Sequence, residues 1–343
     1  MKNRLAIFVI LSFSVFLLGW MNDHSVSKKD VAFILPEGFP KPNYDFSTNR
    51  LSPDIFTLGR KLFYDPILSK DSSTSCESCH QRVAAFAHID HALSHGIDGQ
   101  IGTRNVPSLQ NLIWNNSFMW DGGANHIDTQ PISPITSPIE MNESLAHIII
   151  KLKKNREYRS LFKKAYKDTI INSERILKSL AQFTGLMISA NSRYDKYIAG
   201  KDTFSIQEKN GLDLFRSKCA SCHKEPLFTD NTFRNNGIKA DTSLKDFGRG
   251  KITNMEYDNY KFKVPGLRNI EMTFPYMHDG RYKKLKDVMK HYSSQNHNLP
   301  TDPEVKNIGE LNDKERKDII AFLLTLTDKE FLNDRRFKNP NMK

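Results

Sequence analysis

The sequence predicts an all-α protein built from two similar units. Apolar residues recur at helical spacing in most regular segments, and strand-like alternation is short and weak. The pentapeptide Cys-x-x-Cys-His also occurs twice, at residues 76–80 and 219–223. Each copy is set between helical patterns and is followed by a long irregular stretch, so we expect one ancestral unit used twice.

The two pentapeptides use all four cysteines of the chain. In this motif, both thiols add to the vinyl groups of a haem and the histidine becomes the proximal iron ligand. We therefore predict two covalently bound c-type haems, held by Cys76, Cys79, His80, Cys219, Cys222 and His223. A zinc site is the alternative for a Cys-x-x-Cys pair. A histidine directly after each second cysteine argues against zinc.

Helical patterns lie on both sides of the first pentapeptide. Ser52 and Pro53 are typical of the N-cap and first position of a helix, and apolar residues follow at helical spacing. We expect another helix over residues 143–153 and a longer helix capped by Ser173. Residues 94–142 are rich in Gly, Pro and Asn and predict a long loop, which can wrap a haem.

The second unit repeats this order. Ser205 and Glu208 form a capping box, which predicts a helix that runs into the second pentapeptide. Residues 224–282 are again irregular, and a last helix is expected over about residues 312–326. We therefore predict two cytochrome c-like domains, each wrapped around one covalently bound haem, with long irregular loops.

The N-terminal segment predicts export. A basic start is followed by an apolar run over residues 5–20, as in a secretory signal, and this run is just short of the roughly 20 residues that span a bilayer. A cleaved signal and a retained membrane anchor both place the chain in the periplasm. The predicted division is signal peptide or anchor 1–21, linker 22–50, first domain 51–203, second domain 204–328, and a tail 329–343 that folds back over the first domain.

The chain is basic, with 50 Lys and Arg residues against 39 Asp and Glu residues and a net charge of +11. The basic residues are scattered and form no nucleic-acid-binding motif, so no nucleic-acid partner is predicted. A solvated basic surface and attraction of an acidic electron-donor protein both agree with this charge.

Further motifs follow each pentapeptide in order. They are GTRNVPSL (102–109), FMWDG (118–122), QP (130–131) and EM (140–141) after the first, and KVPGLRN (263–269) and PYMHDG (275–280) after the second. This order resembles the bacterial di-haem cytochrome c peroxidase family, which includes the MauG-type enzymes, over roughly residues 51–327. The resemblance implies that peroxide reacts at the haem on His80 and that the haem on His223 stores or relays an electron.

The resemblance also assigns three catalytic residues. Trp120 matches the tryptophan that lies between the two haems and passes electrons, although a core tryptophan is the structural alternative. Glu140 and Gln130 match the distal-pocket pair, in which a carboxylate moves a proton and an amide orients peroxide. Without the resemblance, Glu140 would be interpreted as a surface or helix-capping acid.

The resemblance further implies a calcium ion between the domains, held through Asn105, Thr273 and Pro275. Asparagine and backbone carbonyl oxygens are suitable ligands for this cation. No EF-hand pattern is present, and a turn formed by these residues is the structural alternative.

The first departure from the family pattern concerns the first haem. The loop histidine that ligates the resting iron in the familiar peroxidases is replaced at the aligned position by Ile97. The simplest interpretation is an open sixth position. His95 as a movable sixth ligand is the rival, and a solvated loop histidine is the structural alternative for His95, His88 and His91.

The second departure concerns the second haem, whose distal ligand position falls on Tyr292. Peroxidases of the family carry methionine there and MauG-type enzymes carry tyrosine. A phenolate favours oxidised iron, whereas a thioether favours reduced iron. Met277 is the alternative ligand, and Met289 is also close in sequence. The remaining alternative is a second haem without a distal protein ligand, in which these methionines only pack.

These expectations describe a periplasmic di-haem peroxidase that reduces hydrogen peroxide to water. Electrons from a small soluble redox protein, a cytochrome c or a cupredoxin, would enter at the second haem and reach the first through Trp120. The alternatives are a MauG-type oxidase that uses peroxide to modify a partner protein, and a non-enzymatic di-haem electron carrier. A homodimer is a further expectation, and membrane association is expected only if the N-terminal segment is retained.

Overall fold

The computed structural model describes residues 26–293 and 301–342, and the regular structure in these residues is almost entirely helical. The α-helices in chain order are α1 (Pro53–Tyr64), α2 (Cys76–Cys79), α3 (Ile132–Thr136), α4 (Leu145–Lys154), α5 (Arg156–Tyr166), α6 (Ser173–Gly185), α7 (Arg193–Ile198), α8 (Ile206–Lys218), α9 (Gly250–Thr253), α10 (Leu285–Ser293), α11 (Pro303–Lys306), α12 (Asp313–Leu324) and α13 (Lys329–Asn333). Short 3-10 helices lie at Phe46–Thr48, Pro66–Leu68, Arg82–Ala84, Ile97–Gly99, Leu112–Trp114, Thr242–Leu244, Glu256–Asp258 and Arg335–Phe337. Within the described ranges, the only sheet pairs β1 (Phe233–Arg234) with β2 (Phe262–Lys263), antiparallel.

The first hydrophobic core is centred on the crossing of α1 and α6. A Cβ atom added at Gly59 would lie 1.9 Å from the carbonyl oxygen of Ser179 and 3.2 Å from the Cβ of Phe183. Only glycine allows the two helix backbones to approach this closely. Buried aromatic rings, among them Phe56 and Phe63, pack around the crossing and fill the core.

The second hydrophobic core repeats this arrangement with α8 and α12. A Cβ atom added at Gly211 would lie 1.9 Å from the carbonyl oxygen of Asp318 and 2.9 Å from the Cβ of Phe322. Phe215 and Phe228 pack beside Phe322 in this core. In each half, the helix that carries the glycine is the one that precedes the pentapeptide, so the prediction of a repeated unit agrees with the packing.

The C-terminal segment returns to the N-terminal half, as predicted. Phe331 of α13 and Phe337 belong to the first core. The hydroxyl of Tyr64 donates to the carbonyl oxygen of Phe337 at 2.5 Å. The Asn339 amide donates to the carboxylate of Glu77 at 2.8 Å, inside the first pentapeptide.

The architecture confirms the predicted all-α class, and several helix starts follow their local signals. Ser205 and Glu208 form the predicted capping box. Ser52 is the N-cap of α1 with Pro53 after it, although its side chain makes no capping hydrogen bond. The prediction that Ser173 caps α6 is wrong, because Asn172 accepts from the backbone N–H of Arg175 instead.

The helix predicted over residues 143–153 begins at Leu145, after the N-cap Ser144, and the last predicted helix ends at Leu324. The sequence analysis did not identify α5 or α10 as helices. The predicted signal or anchor, residues 1–21, lies outside the described residues, and the predicted domain bounds stay predictions. No helix in the described part of the chain is long and apolar enough to cross a membrane.

Candidate functional site

The first pentapeptide forms the short helix α2, which a capping box between Ser75 and Ser78 begins. The Nδ1 atom of the His80 ring lies 2.8 Å from the carbonyl oxygen of Phe86. An Nδ1–H that donates to this carbonyl leaves Nε2 as the ligating nitrogen, which is the usual way a second partner orients a metal-binding histidine. Burial lowers the pKa of His80 to about 4, so the ring is neutral, as an iron ligand must be.

The second pentapeptide follows α8 directly and has the same geometry. The Nδ1 atom of His223 lies 3.0 Å from the carbonyl oxygen of Phe228, and burial lowers the pKa of this histidine as well. Both acceptor residues have left-handed backbones, with φ of 61° at Phe86 and 57° at Phe228. The two histidines are therefore held in the same way by equivalent turns.

One cavity of about 810 Å³ reaches both pentapeptides. Its wall includes all the predicted haem-attachment residues, namely Cys76, Cys79, His80, Cys219, Cys222 and His223. It also includes the other predicted site residues Asn105, Trp120, Gln130, Glu140, Thr273, Pro275, Met277 and Tyr292. The fold thus brings together residues that are far apart in the sequence.

The donor atoms in this cavity fit c-type haem. In each half, a neutral histidine and two thiols face a common, largely apolar space, and burial raises the pKa values of Cys76 and Cys219 to about 12. Among the described residues, no group of three or more His, Cys, Asp or Glu side chains is arranged to hold a metal ion directly.

Trp120 lies where the two halves of the chain meet. Its indole Nε1–H donates to the carbonyl oxygen of Asn105 at 2.8 Å, and its own carbonyl accepts from the backbone N–H of Lys263 in β2 at 2.7 Å. The Lys263 ammonium donates to the carbonyl oxygen of Ser117 at 2.6 Å. These bonds fix the tryptophan from both sides, so it is not a simple core residue of one half.

Glu140 and Gln130 line the cavity on the side of the first pentapeptide. Burial raises the pKa of Glu140, which a hydrogen bond from Ser137 partly offsets. The carboxyl does not cap a helix, since α4 begins only at Leu145. A Cβ atom added at Gly96 would lie 2.6 Å from the Cα of Glu140, so this glycine allows the loop after the first pentapeptide to pack against the carboxyl-bearing turn.

Three histidines of that loop are grouped beside the first pentapeptide. The rings of His88 and His91 stack at 5.1 Å, and those of His91 and His95 lie 4.4 Å apart. Of the three, only His95 lines the cavity. Its Nδ1 is buried and makes no hydrogen bond with any described residue. Ile97 is buried. The geometry is therefore compatible with both interpretations of the first haem, an open sixth position and His95 as a movable sixth ligand.

The predicted ligands of the second haem lie on and before α10. Tyr292, Met289 and Met277 all line the cavity. Burial raises the pKa of Tyr292 to about 12, with further contributions from its proximity to the thiols of Cys219 and Cys222. Tyr292 and these two cysteines therefore line the same part of the cavity. The ligand atom itself stays a prediction.

Two of the residues predicted to bind calcium, Asn105 and Pro275, contact each other. The amide nitrogen of Asn105 donates to the carbonyl oxygen of Pro275 at 2.6 Å. The amide oxygen of Asn105 accepts from the backbone N–H of Val106 at 2.8 Å, which fixes the orientation of the amide. Asn105 and Pro275 therefore bond to each other directly, and calcium stays a prediction of the resemblance.

The sequence analysis missed two further polar residues of the cavity. Arg104 makes a two-atom contact with Asp246 at 2.6 and 2.7 Å and also binds Asp121 at 2.6 Å, so it joins the two halves beside Trp120. Asn236 also lines the cavity, next to Met277. Arg104 lies within the GTRNVPSL motif, whereas no sequence signal identified Asn236.

Comparison with known proteins agrees with this geometry. The family model for di-haem cytochrome c peroxidase matches residues 53–203, and the model for cytochrome c matches residues 208–327. These matches confirm two haem-binding cytochrome c-like domains, which imply two c-type haems.

Individual relatives cover most of the chain. It is 34% identical to methylamine utilization protein MauG of Methylorubrum extorquens over 88% of this chain and 86% of that protein. It is 33% identical to cytochrome c551 peroxidase of Nitrosomonas europaea over 80% of each. A solved structure of a MauG-like protein associated with microbial copper homeostasis superposes with a TM-score of 0.82 at 29% identity, covering 90% of this chain and 99% of that one. The chain therefore belongs to the di-haem cytochrome c peroxidase family, a family of peroxidase oxidoreductases.

Proposed function

We propose that this protein is a periplasmic peroxidase that reduces hydrogen peroxide to two molecules of water, with two electrons from a small soluble redox protein. The observation that supports this proposal most directly is the single cavity that both pentapeptides share with Trp120, Gln130 and Glu140. A peroxide site and an electron store can communicate only if they are close, and one shared cavity provides that closeness.

In this proposal Glu140 moves the proton. Its carboxylate takes a proton from one oxygen of hydrogen peroxide and returns it to the other, so that the second oxygen leaves as water. The first oxygen then becomes the second water by taking up the two donor electrons and two protons from solvent. The raised pKa of Glu140 suits this role, because a carboxyl that is both acceptor and donor works best when its pKa is near the working pH. The amide of Gln130 orients peroxide by hydrogen bonding.

Haem iron, held by His80 and His223, supplies the oxidation and reduction chemistry when bound. The chain's own contribution to electron transfer is Trp120, whose position is fixed by hydrogen bonds to Asn105 and Lys263. Electrons would enter at the second haem from a cytochrome c or a cupredoxin. The net charge of +11 favours an acidic donor.

The test is a steady-state assay of the mature holoprotein with hydrogen peroxide and a reduced small cytochrome c or cupredoxin. We expect peroxide-dependent oxidation of the donor, and faster oxidation by acidic donors at low ionic strength. Absence of turnover with every small donor, in protein that carries two haems, would contradict the proposal.

A second function, a MauG-type oxidase that modifies a partner protein, is favoured by Tyr292. This residue lies in the cavity near the thiols of the second pentapeptide, where a phenolate ligand would stabilise oxidised iron. The two functions are separated by the fate of the oxidising equivalents. An oxidase consumes peroxide without small donors and leaves a covalent change on a partner, which mass spectrometry detects.

A purely electron-carrying role does not agree with membership of a peroxidase family.

A further inference from the structure

Lys263 places an ammonium group in the wall of the cavity that both pentapeptides share. The residue lies at the end of β2, and its backbone N–H donates to the carbonyl oxygen of Trp120 at 2.7 Å. The side chain is half-buried, and the space that it lines is largely apolar. The fold therefore holds a lysine where few polar groups surround it.

The ammonium of Lys263 has no carboxylate partner among the described residues. It donates to the carbonyl oxygen of Ser117 at 2.6 Å and lies 5.9 Å from the centre of the Phe118 ring. Burial lowers the pKa of Lys263 to about 7, and no nearby acid opposes this shift. A cation in such surroundings is costly unless an anion pairs with it.

The arginines of the same wall differ from Lys263 in this respect. Each of them binds at least one carboxylate of the chain, in the pairs Arg104–Asp246, Arg234–Asp230 and Arg268–Asp195. Their charges are compensated within the chain, whereas the charge of Lys263 is not.

The equivalent position of the first half carries no charge. Lys263 and Asn105 each precede a Val-Pro pair. The backbone N–H of Asn105 donates to the carbonyl oxygen of His278 at 2.6 Å, as that of Lys263 does to Trp120, and both acceptors precede an Asp-Gly pair. Asn105 is neutral, and its amide bonds within the chain. The backbone bonds that join the two halves therefore do not require a cation at this place.

We propose that Lys263 is a cofactor-binding residue whose ammonium pairs with a propionate carboxylate of a haem in the shared cavity. Each haem brings carboxylates of its own, and a charge-assisted hydrogen bond to one of them supplies the partner that the chain lacks. An unpaired carboxylate stabilises ferric iron, so the pairing raises the midpoint potential of that haem. The inference rests on the two haems and is independent of the peroxidase reaction.

The experiment uses the purified holoprotein with two haems and removes the charge in two ways. Lys263→Gln keeps a donor for the Ser117 carbonyl, and Lys263→Met keeps the length of the side chain. In both variants we expect the propionate bending bands of the resonance Raman spectrum to shift and the midpoint potential of one haem to fall. Lys263→Arg, which keeps the charge, should restore both readouts. Lys263→Gln gives the answer alone if Lys263→Met folds poorly.

The matched control is Lys261→Gln. Lys261 lies two residues earlier, pairs with Asp258 at 3.1 Å and does not line the cavity, so its loss should leave both readouts unchanged. Unchanged bands and potentials in both neutral variants of Lys263 would overturn the pairing and leave only its bond to Ser117. Equal shifts in Lys261→Gln would also overturn it, because any lost charge would then have the same effect. Neither readout requires peroxide or a donor protein, so a failure of the proposed function would be distinguished from a failure of this inference.

Discussion

The indole of Trp120 donates to the carbonyl oxygen of Asn105 at 2.8 Å, while the backbone N–H of Asn105 donates to the carbonyl oxygen of His278 at 2.6 Å. Asn105 comes from the loop of the first half and His278 from that of the second. Asn105 therefore connects the indole of Trp120 to the second half, in addition to the direct bond between the Trp120 carbonyl and Lys263. The relay proposed for Trp120 would need a fixed distance to each haem, and these bonds, which hold the indole in place, support that proposal.

Replacing Trp120 by Phe should keep an aromatic ring but remove the bond to Asn105. We expect steady-state turnover with a small donor to fall, while the first reaction of the fully reduced protein with peroxide keeps its rate. Stopped-flow mixing separates the two steps. Trp114→Phe is the matched control, since Trp114 is buried in the first core and donates to Pro40. Equal losses in both variants would contradict a relay at Trp120.

Replacing Glu140 by Gln should lower peroxide turnover by about 10²–10⁴-fold, the usual contribution of a positioned acid–base group. Both haem spectra should be largely preserved, because the change keeps the shape of the side chain. Glu310→Gln, at an exposed position, serves as the control. Full activity in Glu140→Gln would exclude Glu140 as the proton carrier.

His95→Ala tests the sixth position of the first haem. With an open position, electron paramagnetic resonance of the native ferric protein shows one high-spin haem, and the variant gives the same signal. If the native signal is low-spin and becomes high-spin in His95→Ala, the rival interpretation of a movable histidine ligand is correct. His91→Ala is the comparison, because this ring contacts His95 and does not line the cavity.

Asp195→Asn should destabilise the second core by about 3–5 kcal/mol, because it leaves the buried guanidinium of Arg268 without its charge partner. Asp195 binds Arg268 through two hydrogen bonds of 2.7 and 2.8 Å, and Arg268 is only 1% exposed. Urea unfolding measures the difference. The exposed pair Arg193–Asp202 offers a control, for which Asp202→Asn should cost less than about 1 kcal/mol.

The same pair predicts a pH dependence. Burial alone would raise the pKa of Asp195, but hydrogen bonds and charge from Arg268 hold it below its ordinary value of 3.8. The unfolded chain therefore binds a proton at a higher pH than the folded protein does. The stabilisation that the Asp195–Arg268 pair provides is complete above the ordinary pKa of Asp195. It is lost as the pH falls towards the lower pKa that Asp195 has in the folded protein. The stability difference between the native protein and Asp195→Asn should shrink correspondingly in acid.

Gly211→Ala should destabilise the protein by roughly 1–3 kcal/mol or more, since the added methyl group meets the backbone of Asp318 at the helix crossing. Ser217→Ala lies on the exposed side of the same helix and should change stability little. Thermal unfolding followed by circular dichroism compares the two variants. If Gly211→Ala were as stable as the native protein, α8 and α12 would be able to move apart at this crossing without a loss of stability.

Much of the fold and of the site could be predicted from local signals. The capping box at Ser205 and the two pentapeptides depend on residues close in sequence, so their chemistry is visible there. The position of Asn236 at the cavity could not be predicted, because it depends on the Gly237 turn and on a contact with His291 of α10, which is more than forty residues away. The calcium ion stays a prediction, because it depends on the resemblance alone and no local pattern in the sequence identifies its ligands.

The returning C-terminal segment has a consequence for maturation. A chain emerges from the ribosome with its N-terminus first, yet the first core needs Phe331 and Phe337, and Asn339 binds Glu77 between the two cysteines of the first pentapeptide. The first core therefore cannot be completed until the last residues of the chain have arrived. If export delivers the N-terminal half first, the proposed haem attachment at Cys76 and Cys79 can take place before Asn339 packs beside this pentapeptide.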